Sequence, residues 1–185
     1  MTASSPDLAY LRARLALIED RVRSLVERRQ ADDPAPDDPF RGLYVSDDAA
    51  VRLLAPPAPG PDPDPTGRHG VAEFGDRLEA EGHPLVLRRL VRDAGLDDLD
   101  VDLVLTTLLP DLDSRFERLY GYLNDDVSRR RATTGLALDV VGATPDDAAA
   151  RARLGPSGRL VRRGLLRVED EDRPFLTRAL RVPDR

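Results

Sequence analysis

Residues 133–182, TTGLALDVVGATPDDAAARARLGPSGRLVRRGLLRVEDEDRPFLTRALRV, decide the fold. Thr133 or Thr134 can start a helix bearing Leu136, Leu138, Val140 and Val141, and Gly142 ends it. Thr144-Pro145-Asp146-Asp147 is a second helix start, for a helix over about 145–154 with Gly155 as its cap. After the Pro-Ser-Gly turn come two extended runs, 165–168 and 175–182, flanking the polar turn 169–174. Leu176, Arg178, Leu180 and Val182 keep a two-residue spacing, which predicts a β-hairpin.

Helix, tight turn, helix, hairpin is the layout of a helix-turn-helix followed by a wing. Upstream, Phe116, Leu119, Tyr120 and Leu123 share one helical face, with Asp113 or Ser114 as cap. Before that, LDVDLVLTTLL (99–109) reads as a buried helix closed by Pro110. Leu85, Leu87, Leu90 and Val91 belong to a shorter helix that stops at Gly95. Another helical pattern runs from Val71 to about Ala80, and Gly82-His83-Pro84 interrupts it.

At the N-terminus, Ser5-Pro6-Asp7 supplies a cap, a proline at the first helical position and an acid in the first turn. Leu8, Leu11, Leu15, Ile18, Val22 and Leu25 follow at alternating three- and four-residue steps, an a/d seam. That seam can pack on the same chain or pair with another copy, so a homo-oligomer is one expectation. The division expected is a helix over 1–30, a proline-rich linker over 31–70 with a short anchor helix near 46–54, and a helical domain over 71–185. The fold class is thus mainly α: a helical N-terminal arm plus a winged-helix-like domain with a C-terminal β-hairpin.

Composition narrows the function. The 185 residues are 41% hydrophobic but only 4% aromatic, so the core must be built of Leu, Val and Ala. There is no cysteine, which rules out a disulfide framework and fits a reducing, cytoplasmic setting. No apolar run approaches the ~20 residues of a membrane span, and the first residues lack the apolar region of a signal peptide. All 28 basic residues are arginine. Without lysine the chain contains no G-x-x-x-x-G-K-[ST] phosphate loop and no Schiff-base or catalytic lysine. The net charge is −6, yet residues 128–185 hold 13 arginines against 8 acids. That basic third calls for an acidic partner or for complementarity with the acidic remainder.

Several side chains are candidates for contact. Arg129-Arg130-Arg131 offers planar guanidinium forks to phosphate or carboxylate, while Asp125 and Asp126 offer local ion pairs instead. In the 145–154 helix, Asp146 and Asp147 stand where a DNA reader presents side chains to base edges, and phosphate would repel them. Arg151 and Arg153 lie towards the other end, and Ala148, Ala149, Ala150 and Ala152 suit packing on a protein. Arg159, Arg162, Arg163 and Arg167 can reach a phosphate backbone. Tyr122 points away from the Tyr120 face and suits partner contact. The candidate contact set is therefore Tyr122, Arg129, Arg130, Arg131, Arg151, Arg153, Arg162 and Arg163.

Catalysis has no such support. Asp97, Asp98, Asp100, Asp102, Asp111 and Asp113 lack the glycine and closing glutamate of a calcium loop and read as helix-end acids. His69 and His83 read as incidental, and Ser157 has no G-x-S-x-G setting. No catalytic residue, metal site or cofactor is expected.

The segments LYGYLNDDVSRRRATTGLALDVVG (119–142) and DEDRPFLTRALRVPDR (170–185) resemble the N-terminal region of a group of bacterial AAA+ ATPases. Genes of that group are often found with phage-tail-like contractile injection systems. The opening 10–54 resembles the same proteins, so the likeness covers most of the chain outside the proline stretch near 56–70. The resemblance implies a variant winged-helix region ahead of an ATPase module. Walker A, Walker B and arginine-finger residues are not in this chain, so ATP and Mg2+ are expected only in that module. The expected function is non-catalytic recognition of a protein substrate, partner or assembly on behalf of the ATPase. The alternative is a DNA-binding winged-helix regulator.

Overall fold

The computed structural model describes residues 5–31 and 65–184. Its helices are α1 (Pro6–Ala31), α2 (Pro65–Ala80), α3 (Val86–Ala94), α4 (Asp98–Leu112), α5 (Arg115–Leu123), α6 (Thr134–Val140), α7 (Ala148–Arg153) and α8 (Arg159–Arg162). Strands β1 (Arg167–Val168) and β2 (Leu180–Arg181) pair antiparallel, with Arg167 opposite Arg181 and Val168 opposite Leu180. The chain is mainly helical with a small C-terminal hairpin, as its sequence pattern requires. None of the described helices is long and apolar enough to cross a membrane.

The Ser5 hydroxyl accepts the Leu8 N–H at 3.2 Å and opens α1, with Pro6 at the first helical position. This helix packs along α2, α3, α4, α5 and α6. Leu15, Ile18 and Val22 are buried in the main core, and Leu11 and Leu25 are half-buried against it, while Leu8 is exposed. The seam is therefore largely filled within the chain, and the arm folds back on the helices it precedes. An a/d spacing also describes the core-facing stripe of an ordinary helix, and here it serves as one.

Charge fixes the same contact. Asp102 of α4 is buried, and its carboxylate meets Arg21 at 2.8 Å, Arg14 at 3.4 Å and Arg68 of α2 at 2.6 Å. One carboxylate thus ties two helices to a third. Tyr10, Leu78 and Leu85 make a smaller apolar cluster beside it, with Val71 and Phe74 packed around them.

Three element boundaries differ from the sequence reading. First, α2 starts at Pro65, six residues before Val71, because proline is tolerated in the first turn. The rest of the expected linker, with its anchor helix near 46–54, lies outside the described residues. Second, Pro110 does not close α4 but lies inside it. Third, the second run of the hairpin is not extended throughout, since Phe175–Thr177 is a turn of 3-10 helix. Thr177 N–H closes on Pro174 O at 3.0 Å, and Thr134 N–H takes Arg178 O at 2.9 Å. These bonds draw the segment onto the start of α6 and leave only two residues to pair with β1.

The helix-turn-helix keeps its expected N-caps, whereas Leu154 rather than Gly155 stands at the C-cap of α7. Thr133 accepts the Leu136 N–H at 3.2 Å, and Asp147 accepts the Ala149 and Ala150 N–H groups at 2.9 and 3.0 Å. The second helix therefore begins at Ala148, with Thr144-Pro145-Asp146 in the turn. The short α8 follows the Pro-Ser-Gly turn, in residues for which the sequence pattern predicts no element. Behind the wing, Leu180 N–H bonds to Ala132 O at 2.8 Å and Thr133 bridges Ala179, so the return strand is held on both sides.

Candidate binding surface

The arginine run sits in the loop between α5 and α6, and one side chain organises its backbone. Asn124 Nδ2 donates to the carbonyls of Arg129 and Arg131, both at 3.0 Å. Its Oδ1 accepts the Thr133 hydroxyl at 2.9 Å. Asp126 closes the start of the loop by accepting the Ser128 N–H at 2.9 Å and the Ser128 hydroxyl at 2.6 Å. Those two bonds, with the Arg129 guanidinium, hold the Asp126 carboxyl below the usual carboxylate range.

Each arginine of the run has an acid of its own. Arg129 Nε lies 3.1 Å from Asp126, and its NH1 donates to Thr177 O of the wing at 2.8 Å. Arg130 lies 3.7 Å from Glu117, and Arg131 3.3 Å from Asp111. Asp126 is thus a local partner as expected, whereas Asp125 reaches across to Arg29 of α1 at 2.6 Å.

The arginines of α7 turn inward. Arg151 NH1 donates to Pro145 O at 2.7 Å, and its guanidinium lies 4.2 Å from the Phe175 ring centre. Arg153 NH1 reaches both oxygens of Asp97 at 2.7 Å and Asp100 at 2.8 Å. Burial pushes the Asp97 carboxyl up, but the Asp100 N–H and the Arg153 guanidinium outweigh it and leave the carboxyl below its ordinary value. Arg159 also pairs with Asp100, at 3.4 Å. The acids around α4 therefore cap it and hold other helices against it. Among the described residues no cluster of acids and histidines is arranged to hold a metal ion.

Part of the basic third is thus complementary to the acidic remainder, one of the two expectations from charge. Tyr122 is half-buried, with the Arg29 guanidinium 5.4 Å from its ring centre. Arg162 and Arg163 are exposed, and so is Arg167; among the described residues no ion pair or hydrogen bond takes up their guanidinium groups. The candidate set therefore divides into three. Arg129, Arg130 and Arg131 line one cleft of about 340 Å³ together with Arg173 of the wing. Arg151 and Arg153 are committed to the fold. Arg162 and Arg163 stand on open surface.

Asn124 is a structural residue that the motifs of the sequence do not single out. The signal was an amide rather than a third carboxylate in Asn-Asp-Asp, because only an amide can donate to two carbonyls while accepting a hydroxyl.

Comparison with curated proteins and with solved structures returns no significant match. A family model does match, over residues 3–185, and its description is a variant winged helix domain. With capped helices joined by a tight turn, and a short hairpin packed against the first of them, this chain belongs to the variant winged helix domain family.

Proposed function

We propose that this chain is a non-catalytic module that recognises a protein, with no cofactor of its own. The observation that carries the reading is the state of α7, the helix at the recognition position. Its N-terminal end carries the exposed Asp146 and spends Asp147 on its own cap, and its arginines are spent on Pro145, Phe175, Asp97 and Asp100. Ala148, Ala149 and Ala152 are exposed instead. A duplex in the usual orientation meets carboxylates and methyl groups there, with no arginine to read a base edge.

The finer proposal is that the module serves a AAA+ ATPase, receiving a substrate or docking the ATPase to an assembly such as a contractile injection system. It rests on the resemblance of 119–142 and 170–185. Reading the source gene past the codon for Arg185 tests it. A strand followed by G-x-x-x-x-G-K-[ST] supports the link, and a stop codon removes it.

The competing reading is a DNA-binding regulator, and the exposed Arg162, Arg163 and Arg167, which take no ion pair among the described residues, favour it. Titration of labelled duplex at two salt concentrations separates the two. Tight binding that weakens steeply with salt is the mark of phosphate contacts and would overturn the protein-binding reading.

A further inference from the structure

The loop that carries the arginine run is built as a rigid support. Asn124 clamps two of its carbonyls, Asp126 closes its start, and Ala132 and Thr133 bond to the return strand of the wing. The wing forms the facing wall of the cleft, fastened there by Arg129 to Thr177 O. Two guanidinium groups on these walls remain loosely held. Arg130 approaches Glu117 only to 3.7 Å, and Arg173 approaches Asp170 only to 3.9 Å, both too long for a hydrogen bond. Each therefore keeps its donors available on a fixed backbone, in a concave setting that concentrates positive potential.

We propose that this cleft is a docking site for a short acidic segment of a protein partner, whose carboxylates bind Arg130 and Arg173. The proposal rests on the protein-recognition reading above and names the chemistry of the partner. An arginine fork matches a carboxylate in two parallel hydrogen bonds, and a wall that does not rearrange loses little entropy on binding. Discrete carboxylates fit better than a nucleic acid. Asp126 and Asp170 also line the cleft, so its positive charge is interrupted. A duplex carries a charge about every 1.7 Å, a continuous line that those two carboxylates would oppose.

The test is fluorescence anisotropy with the full chain and a labelled ten-residue peptide carrying four glutamates. Binding is expected, with a dissociation constant raised at least tenfold by Arg130→Ser with Arg173→Ser. The pair Arg162→Ser and Arg163→Ser removes as much charge outside the cleft and is expected to leave it nearly unchanged. Circular dichroism checks that both double variants fold. No peptide binding, or equal loss in both double variants, overturns the cleft. The two-salt duplex titration that tests protein recognition is then still independent of it. A labelled 20-base-pair duplex that binds more tightly than the peptide, and is lost in the Arg130 and Arg173 variant, overturns the acidic occupant and the protein-recognition reading together.

Discussion

The Tyr120 hydroxyl donates a 2.7 Å hydrogen bond to the backbone carbonyl of Thr106. Pro110 stands four residues after Thr106 inside α4 and has no N–H to give that carbonyl. A tyrosine from the next helix supplies the missing donor, which is how a proline persists within a buried helix. Tyr120→Phe leaves the carbonyl unpaired in the core and is expected to cost about 1–3 kcal/mol. In a Pro110→Ala background a backbone N–H returns at position 110, and the same change should cost well under that. Urea denaturation of the four proteins measures the coupling. Equal costs in both backgrounds would show that the bond does not compensate for the proline.

The same tyrosine sets an alkaline limit. Burial raises the Tyr120 hydroxyl far above its ordinary value. A group raised on folding contributes stability that is intact below its unfolded pKa, about 10 for tyrosine. Above that pH the unfolded chain ionises and the folded one does not, so stability falls by up to about 1.4 kcal/mol per pH unit. Denaturation midpoints between pH 9 and 11 should show this limb in the native protein and a shallower one in Tyr120→Phe.

Asp102 holds three arginines from two helices, and its removal should be costly. Asp102→Asn leaves Arg14 and Arg21 buried with no full counter-charge, and an uncompensated buried pair costs about 3–5 kcal/mol. Hydrogen exchange should show the loss first along α1, the helix those arginines belong to. Protection in α1 equal to the native protein would mean that apolar packing alone docks the arm.

Two glycines near the α7–α8 turn should respond in opposite ways. A Cβ on Gly158 would overlap the Arg153 carbonyl, and backbone there cannot yield cheaply. A Cβ on Gly155 would meet its nearest atom, Ala152 O, at an ordinary 3.5 Å. Gly158→Ala is expected to lose about 1–3 kcal/mol, as an overpacked site does. Gly155→Ala should be nearly neutral. Thermal melts of the two variants decide it, and similar losses would place the constraint in the turn as a whole.

The sequence made the caps legible because capping is local. Ser5, Thr133 and Asp147 each bond within three residues, so residue type and spacing suffice to find them. The hairpin was legible as an element but not in length, since Thr134 and Thr177 shorten it through bonds that no strand pattern records. Pro110 reads as a terminator in the sequence because its remedy, Tyr120, is on another helix. The arginines show the same limit. Whether Arg153 is a ligand-binding group or a clamp depends on Asp97 and Asp100, more than fifty residues away. Composition gave the surplus of positive charge in the last third, and only the fold shows which arginines remain uncommitted.

The α1 seam supplies the last prediction. If the helix docks within its own chain, a charge at its centre should unfold the protein rather than divide an oligomer. Ile18 is fully buried in the main core, whereas Leu8 of the same heptad pattern is exposed. A carboxylate at position 18 cannot be solvated without undocking the helix, and its burial unpaired costs several kcal/mol. Ile18→Asp should therefore abolish the cooperative melt, and Leu8→Asp should leave it in place. Native mass spectrometry of Leu8→Asp reads the other half of the question. A mass unchanged from the native protein places the seam within the chain. A native oligomer that falls to monomer in Leu8→Asp, with folding retained, would make the exposed end of α1 an interface between copies, continuing the stripe that Leu15, Ile18 and Val22 fill inside each one.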